Sequence, residues 1–264
     1  MSGFDPEWLA LREPVDHASI NAALRRALVS RLQHNETISV VDLGCGTGSN
    51  LRGLAPWFQQ RQHWTLLDYD TALLAAAASA ERPSNVSVAT ARHNLRDADL
   101  HSVFANADLV TAAAFFDLAS LDLVQRVAAA AAQQRAVFYT VLTYDGIASW
   151  LPEHPADGDM RRLFNLHQRG DKGLGPALGP TATDALADAF AGHGYEVLRG
   201  RSPWVLAPQN AQLRTQADTG WAGAVEETGQ LSNAMIESWL QHRTTHPEAV
   251  TIVGHEDLLA VPAA

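Results

Sequence analysis

The chain has 264 residues, 47% of them hydrophobic, which is enough for one large α/β domain or two small ones. Its 29 acidic residues outnumber 19 basic ones, and the net charge of −10 disfavours nucleic-acid phosphates, so we expect a small-molecule substrate and no nucleic acid. The apolar runs are too short to cross a membrane and the first residues lack a signal-peptide pattern, which predicts a cytoplasmic protein without a membrane segment.

The use of cysteine and lysine gives two further indications. Cys45 is the single cysteine, so the sequence excludes an internal disulfide and a cluster of thiolate ligands. Lys172 is the only lysine in an alanine-rich chain, which we interpret as the product of a GC-rich bacterial genome. The sequence leaves the oligomeric state open.

Helical and strand patterns alternate through the first half of the chain. Apolar spacing predicts a helix over residues 16–32, capped by Asp16 and Ser19, within an N-terminal cap segment at 1–35. Strands are predicted at 38–43, 64–68, 86–88, 108–111 and 137–142. Helical patterns between these strands imply βαβ crossovers, so the predicted class is α/β with a mainly parallel sheet.

The alternation breaks between residues 144 and 180, where glycines become frequent. We expect an insertion there on the substrate side of the fold, because long irregular loops commonly form lids or binding segments. Regular patterns then resume, with helices at 183–191, 208–227 and 229–243 and strands at 195–198, 250–253 and 258–261. We find no domain boundary, and the prediction is one domain over residues 1–264.

The most informative stretch is the glycine turn, residues 44–48, which follows the first strand. Gly44, Gly46 and Gly48 allow the backbone to approach a nucleotide-like ligand at the carboxyl end of a parallel sheet. Asp68 ends the second strand 24 residues after Gly44, where a carboxylate is expected to hold ribose hydroxyls.

Two details separate this turn from a dinucleotide site. The third position of the dinucleotide motif is Ser49, where glycine or alanine is usual. Asp42, directly before the turn, would repel a pyrophosphate, whereas a cofactor with a sulfonium and an ammonium group suits a nearby carboxylate.

Through Asp42-Leu43-Gly44-Cys45-Gly46-Thr47-Gly48, Leu67-Asp68 and Asp108-Leu109-Val110, the chain resembles the class I S-adenosylmethionine-dependent methyltransferases, among them uncharacterised bacterial members. The resemblance covers residues 38–142 well. It implies a Rossmann-like sheet of seven strands, mainly parallel with an antiparallel last strand, helices on both faces, and S-adenosylmethionine as cofactor.

The resemblance also implies roles for particular residues. The glycines line the methionine part, Asp68 holds the ribose, Tyr69 lies beside the adenine, and Ala112 and Ala113 face the methionine part. Asn94-Leu95 match the position of an acidic residue and its neighbour near the adenine amine, although Asn94 contributes no charge. The predicted cofactor-binding set is Asp42, Gly44, Gly46, Gly48, Asn50, Asp68, Tyr69, Asn94, Leu95, Ala112 and Ala113.

Methyl transfer displaces an already activated sulfonium carbon, so a catalytic base is optional. If one exists, we expect it where the cofactor's methyl group points, at the ends of the fourth and fifth strands. The candidates are Asp117, Tyr144 and Asp145. Helix capping explains either aspartate about as well as catalysis does.

Three polar residues of the insertion, His167, Arg169 and Lys172, are candidates for substrate binding. They form either a lid that binds an anionic group or a solvated surface turn. Under the lid hypothesis, Arg169→Ala raises the substrate KM and leaves cofactor affinity nearly unchanged.

Other polar clusters favour structural interpretations. His255-Glu256-Asp257 contains metal-ligand types, but no second group completes a shell, so a structural turn without metal is predicted. For Asp16, His17 and Arg25, surface polarity is favoured over contact with the substrate. Trp150 is a candidate contact for an apolar or aromatic substrate.

The prediction is therefore methyl transfer from S-adenosylmethionine to an O- or N-nucleophile of a small molecule. Two alternatives stay open: an NAD(P)-dependent oxidoreductase on a related fold, and a cofactor-binding protein without turnover.

Overall fold

A computed structural model describes residues 5–263, which contain eight strands and ten α-helices. The strands are β1 (Thr37–Leu43), β2 (Arg61–Asp68), β3 (Val86–Arg92), β4 (Leu109–Ala113), β5 (Val137–Leu151), β6 (Tyr195–Arg201), β7 (Trp204–Leu206) and β8 (Val250–Pro262). The helices are α1 (Pro6–Ser19), α2 (Ala22–Leu32), α3 (Ser49–Leu54), α4 (Thr71–Ser79), α5 (Leu100–Val103), α6 (Leu121–Gln134), α7 (Asp157–Gln168), α8 (Ala182–Gly192), α9 (Ala211–Glu227) and α10 (Asn233–Thr244).

All eight strands belong to one sheet with the order β3-β2-β1-β4-β5-β8-β6, and β7 pairs with β8 beside this path. The first five strands run parallel, whereas β8 is antiparallel to β5, β6 and β7. The predicted mainly parallel α/β sheet with an antiparallel last strand is confirmed. The short strand β7 is an addition that the sequence did not predict.

The two faces of the sheet carry separate hydrophobic cores because successive strand residues point to opposite sides. In β1, Val40 packs with Leu24 and Leu28 of α2, whereas Val41 packs with Leu123 of α6 and its neighbours. Helices thus cover both faces, and the carboxyl ends of β1, β2 and β4 meet at one edge of the sheet.

The N-terminal segment contains two helices where the sequence predicted one. Asp5 caps α1 by accepting a hydrogen bond from the Glu7 amide (2.9 Å), and Asn21 caps α2 through two amides. The prediction that Asp16 and Ser19 cap a single helix is therefore wrong. Asp16 lies inside α1 and is buried.

Strand β5 continues well past its predicted end at residue 142, so the first part of the predicted insertion is strand. It stays paired with β8 as far as Leu151 opposite Val250, with register shifts after Thr140 and after Tyr144. Because β8 is one continuous strand, the two form a long arm beyond the parallel sheet. We call this arm, with β7, α7, α9 and α10, the extension.

Aromatic side chains fill the extension. The Trp150 ring lies 4.9 Å from Trp221 and 5.2 Å from Trp239 between ring centroids, both edge-on. Phe164 of α7 stacks on Trp221 at 3.8 Å. The predicted role of Trp150 as a substrate contact has no support here, since only 2% of its surface is exposed.

None of the helices between residues 5 and 263 is both long and apolar enough to cross a lipid bilayer.

Candidate cofactor and substrate site

The glycine turn leaves β1 with three residues in the left-handed region of backbone space. The φ angles of Gly44, Gly46 and Gly48 are 61°, 53° and 82°, values that favour glycine because other residues are strained there. Gly48 also forms the N-cap of α3. The turn therefore presents backbone without side chains at the edge where β1 ends.

Asp68 ties the glycine turn to the end of β2. Its Oδ2 accepts a hydrogen bond from the Gly46 amide (2.9 Å) and its Oδ1 accepts one from the Asp70 amide (3.0 Å). A carboxylate accepts about four hydrogen bonds, so capacity for two ribose hydroxyls is left.

Buried polar groups form the floor beneath the turn. Asn50 donates from Nδ2 to Asp42 Oδ1 (2.8 Å) and to Thr111 Oγ1 (3.1 Å). Asp42 Oδ2 and Asn50 Oδ1 are also buried, and neither has a hydrogen-bond partner within residues 5–263. Burial raises the pKa of Asp42 to about 7, while the bond from Asn50 opposes this rise. The floor thus holds two oxygen acceptors ready for a donor.

The predicted adenine contacts lie along the ends of β2 and β3. Tyr69 is 56% exposed, and the Arg92 guanidinium lies 4.7 Å from its ring centroid. Asn94 makes a local turn, accepting from the Arg96 amide and donating to Asp97, while Leu95 is buried. Their contact with adenine stays a prediction.

The predicted methionine-facing residues lie next to the turn. Ala112 of β4 pairs with Leu43 at the end of β1, and Ala113 is the last residue of β4. Ala112 is fully buried, and the Phe115 ring lies against Gly44, so contact of Ala112 and Ala113 with a ligand stays a prediction.

Asp117 follows β4 in a 3-10 turn, Phe116–Leu118. Its Oδ1 is buried and has no hydrogen-bond partner in the described part of the chain. Burial raises the pKa of Asp117 to about 6, and the charge of Arg12 counters part of this rise. A carboxyl group with such a pKa ionises near neutral pH and binds a proton more readily than an ordinary aspartate.

Tyr144 and Asp145 lie within β5, not after it as predicted. Tyr144 donates from its hydroxyl to Asn165 Oδ1 (2.7 Å), and burial raises its pKa. Asp145 accepts from the Ile147 amide (2.8 Å), and its carboxyl lies against Gly254. Since neighbouring strand residues point to opposite faces, these two side chains do not share one pocket.

The three predicted substrate-binding residues are only partly brought together. Lys172 Nζ lies 3.3 Å from His167 Nδ1, and His167 Nε2 lies 2.9 Å from Glu227. Arg169 borders a separate groove of about 610 Å³ along α7. The lid and the solvated turn both stay open as interpretations.

The loop that carries Lys172 packs near the end of β4. The Leu178 amide donates to the Ala119 carbonyl (2.8 Å), and a Cβ at Gly175 would lie 3.2 Å from Ser120. The loop therefore reaches the neighbourhood of Asp117.

Helix α1 contacts the glycine turn and the start of α3 through side chains on one of its faces. Leu9 lies 3.4 Å from where a Cβ of Gly46 would be, and Glu13 forms an ion pair with Arg52 of α3. His17 Nε2 lies 2.9 Å from the Ser49 carbonyl. Spacings of four residues place these three side chains on one face of the helix.

The adjacent stripe of α1 packs on β7. Asp16 accepts a hydrogen bond from the Trp204 indole (2.9 Å) and forms an ion pair with Arg12 (2.8 Å). The Trp8 ring packs edge-on against Trp204. The expectation of surface polarity for Asp16 is wrong because its side chain is buried among these partners. Burial also raises the pKa of Asp16. Arg25 stacks on Trp57 instead, with its guanidinium 3.7 Å from the ring centroid.

The polar run from His255 to Asp257 forms part of a strand. His255, Glu256 and Asp257 lie inside β8, so the predicted turn is wrong. Glu256 pairs with Arg199, and Asp257 accepts from Ser202 and from the amides of Asn21 and Leu142. No group of three metal-ligating side chains comes together within residues 5–263. The available signal was the alternation Val253, His255, Asp257, Leu259, which is typical of a strand.

Comparison with known protein families gives a match in the first half of the chain. A family model described as a methyltransferase domain matches residues 40–137, which include the glycine turn, Asp68 and β4. Over these residues the match confirms the predicted resemblance to methyltransferases. No functionally curated protein matches the chain.

Solved structures are similar in fold at low sequence identity. The YcgJ protein of Bacillus subtilis is 12% identical with a TM-score of 0.52, covering 92% of this chain and 100% of its own. A Haemonchus contortus phosphoethanolamine N-methyltransferase is 11% identical with a TM-score of 0.49, covering 100% of this chain and 59% of its own. A putative methyltransferase of Bacillus halodurans is 10% identical with a TM-score of 0.46, at 90% and 97% coverage.

Proposed function

We infer that this chain, whose residues 40–137 match a methyltransferase domain, transfers the methyl group of S-adenosylmethionine to an oxygen or nitrogen atom of a small molecule. The observation that carries the proposal is the glycine turn above a floor with two buried oxygens that lack partners within residues 5–263, Asp42 Oδ2 and Asn50 Oδ1. Buried acceptors without partners each cost about 1–3 kcal/mol, so a ligand that donates to them is favoured.

The charges around the turn fit S-adenosylmethionine better than a dinucleotide. Asp42 suits a cofactor that carries an ammonium group, and its ionised form, which burial restricts by raising the pKa to about 7, would repel a pyrophosphate. Asp68 suits the ribose hydroxyls of either cofactor. The nearby cation, Arg52, is held by Glu13 and by the Thr47 carbonyl, so it is not free to neutralise a phosphate.

The bound cofactor supplies an activated methyl group on a sulfonium sulfur. Asp68 holds the ribose, the three glycines allow close approach of the methionine part, and the floor formed by Asp42 and Asn50 orients its ammonium group. These roles position the methyl group at the carboxyl end of β4, and positioning contributes much of the rate of such displacements.

Asp117 is the candidate proton acceptor. It lies at the end of β4, and its pKa of about 6 leaves it mostly ionised at neutral pH yet more basic than an ordinary carboxylate. In this role the carboxylate takes the proton of the methyl acceptor as its oxygen or nitrogen bonds to the methyl carbon. Tyr144 is a weaker candidate because its hydroxyl is already bonded to Asn165.

The insertion residues complete the proposal. His167, in the last turn of α7, lies beside Lys172 of the loop that reaches Ser120, and burial lowers the pKa of Lys172. We assign them to binding of an anionic part of the substrate. Arg169, which borders a different groove, is not included.

Calorimetry with two ligands tests the cofactor half of the proposal. S-adenosylhomocysteine should bind with micromolar affinity, while NADH should give no heat at the same concentrations. Binding of NADH alone would establish the oxidoreductase alternative instead.

Transfer of a labelled methyl group tests turnover. Purified protein is incubated with methyl-labelled S-adenosylmethionine and panels of small phenols, alcohols and amines, and labelled products are separated. S-adenosylhomocysteine binding without labelled product from any class would favour a cofactor-binding protein without turnover.

A further inference from the structure

The outer face of helix α7 carries a cluster of arginines. An open groove of about 610 Å³ runs along this face, lined by Gly158, Arg161, Arg162, Asn165, Leu166 and Arg169. Residues three and four positions apart share one face of a helix, and the opposite face, with Met160 and Leu163, is buried in the hydrophobic core. None of the six lining residues is acidic, so the groove carries three positive charges in a chain whose net charge is −10.

Two of the arginines are adjacent near the middle of α7. Arg161 donates to the Ala148 carbonyl (3.1 Å), and Arg162 forms an exposed ion pair with Asp159 (3.0 Å). Each guanidinium has five N–H donors, and each of these contacts uses one of them. The contacts orient the two side chains, while most of their donors remain available to a ligand.

The third arginine lies farther along the helix. Arg169 follows Arg162 by seven residues, which is about 10 Å along the axis. Its stem packs against Gly179, and its guanidinium enters none of the ion pairs between residues 5 and 263. Leu166 lies between the two arginines, and 47% of its surface is exposed. The groove thus offers cations on either side of an apolar side chain.

A small molecule with an anionic group at each end and an apolar body matches this pattern. Guanidinium groups bind phosphate through two parallel hydrogen bonds, so arginines recognise this anion well. The volume of the groove lies within the range of roughly 300–1,000 Å³ that is typical of small-molecule sites. A nucleic acid fits less well, because 29 acidic against 19 basic residues leave a surplus of negative charge outside the groove.

We propose that this groove is a binding site for an elongated organic bisphosphate. One phosphate group contacts Arg161 and Arg162, and the other contacts Arg169. The apolar chain between the two phosphate groups covers Leu166. The site lies apart from the glycine turn and Asp117, and it does not depend on the proposed function.

Calorimetry with a matched series of phosphate esters at physiological salt tests the proposal. Hexanediol bisphosphate, whose extended chain matches the spacing of the arginines, should bind about tenfold more tightly than hexyl phosphate, because it adds a second charged contact. Ethanediol bisphosphate has the same charge but is too short to reach both ends, so it should bind like hexyl phosphate. Equal affinities across the series, or tighter binding of a short oligothymidylate, would overturn the proposal.

Variants at the two ends of the groove locate the contacts. Arg169→Gln, and separately the double variant Arg161→Gln with Arg162→Gln, should each weaken binding of hexanediol bisphosphate about tenfold. Hexyl phosphate should lose less affinity in either variant, since one intact end suffices for it. Arg26→Gln, at an exposed position of α2, is the matched control for the loss of one charge. Equal weakening in Arg26→Gln, or unchanged affinity in both groove variants, would contradict the proposal.

Discussion

The glycine turn and the extension each bury an aspartate, and the two carboxylates are satisfied to different degrees. Beneath the turn, Asp42 and Asn50 each keep a buried oxygen without a partner within residues 5–263. In the extension, both oxygens of Asp218 accept hydrogen bonds, from Trp150 and Thr251. A satisfied buried carboxylate is part of a fixed scaffold, whereas an unsatisfied one is stabilised when a ligand donates to it.

Because of this difference, we expect amino-acid substitutions in the two regions to affect different properties of the protein. Substitutions in the extension should act on stability first. Substitutions of the glycines or of Asp117 should act on ligand affinity or rate, whereas loss of a paired charge beside the turn should act on stability.

Trp239→Ala should lower the free energy of unfolding by about 3–5 kcal/mol, because the ring is fully buried in the extension. Its indole also donates to Asp157, which pairs with Arg243. Urea unfolding followed by circular dichroism measures the loss. Trp57→Ala is the control, since that ring is 45% exposed and should cost about 1 kcal/mol, mainly through its contact with Arg25. Similar losses of unfolding free energy in the two variants would show that the buried Trp239 ring stabilises the fold no more than an exposed ring does.

Gly46→Val should reduce affinity for S-adenosylhomocysteine about 100-fold or more, since a branched side chain fills the space between the turn and Leu9. The control is Gly194→Val. Gly194 has a φ of 79° and nothing within 4 Å of an added Cβ, and it precedes β6 at the opposite edge of the sheet. Both variants carry similar backbone strain, about 1–2 kcal/mol, so calorimetry isolates the steric effect. Full affinity in Gly46→Val would place the cofactor elsewhere.

Asp117→Asn should lower kcat about 100-fold without changing cofactor affinity, the typical contribution of a general base. With a pKa of about 6, the wild-type rate should rise as pH increases through 6 and then level off, because only the ionised carboxylate takes a proton. The variant should lose this rise. Asp122→Asn on the exposed face of α6 is the control, and an unchanged pH profile in Asp117→Asn would exclude the base.

Glu13→Gln should cost about 1 kcal/mol of stability, since the ion pair with Arg52 is partly buried. Burial opposes ionisation of Glu13, but Arg52 outweighs it and lowers its pKa. The contribution is therefore present above the unfolded pKa and lost as pH falls through the lower folded pKa. Asp159→Asn, which breaks an exposed pair with Arg162, should change thermal stability by a few tenths of a kcal/mol at most. A larger loss of stability in Asp159→Asn than in Glu13→Gln would contradict the expectation that the partly buried ion pair contributes more.

The sequence predicted the first half of the sheet because local pattern and motif agree there. β1 is rich in branched residues and ends at the glycine turn, and β2 ends at Asp68. Each of these features is encoded by a few consecutive residues, so it can be recognised without knowledge of the rest of the fold. The roles of the residues in the cofactor half of the candidate site stay predictions.

The continuation of β5 past residue 142 could not be predicted because its local pattern points elsewhere. Asp145 and Gly146 are typical of turns, yet β5 continues through them with a register shift that its pairing with β8 tolerates. Helix α1 has a proline at position 14 and an even mixture of polar and apolar residues, so it lacks a helical signal. The cluster of Arg12, Trp204 and His255 joins three distant segments and exists only in the folded chain.

Helix α1 couples two parts of the molecule mechanically. One stripe of this 14-residue helix contacts the glycine turn and the next stripe contacts Trp204. A displacement of the helix at either contact would therefore disturb the other.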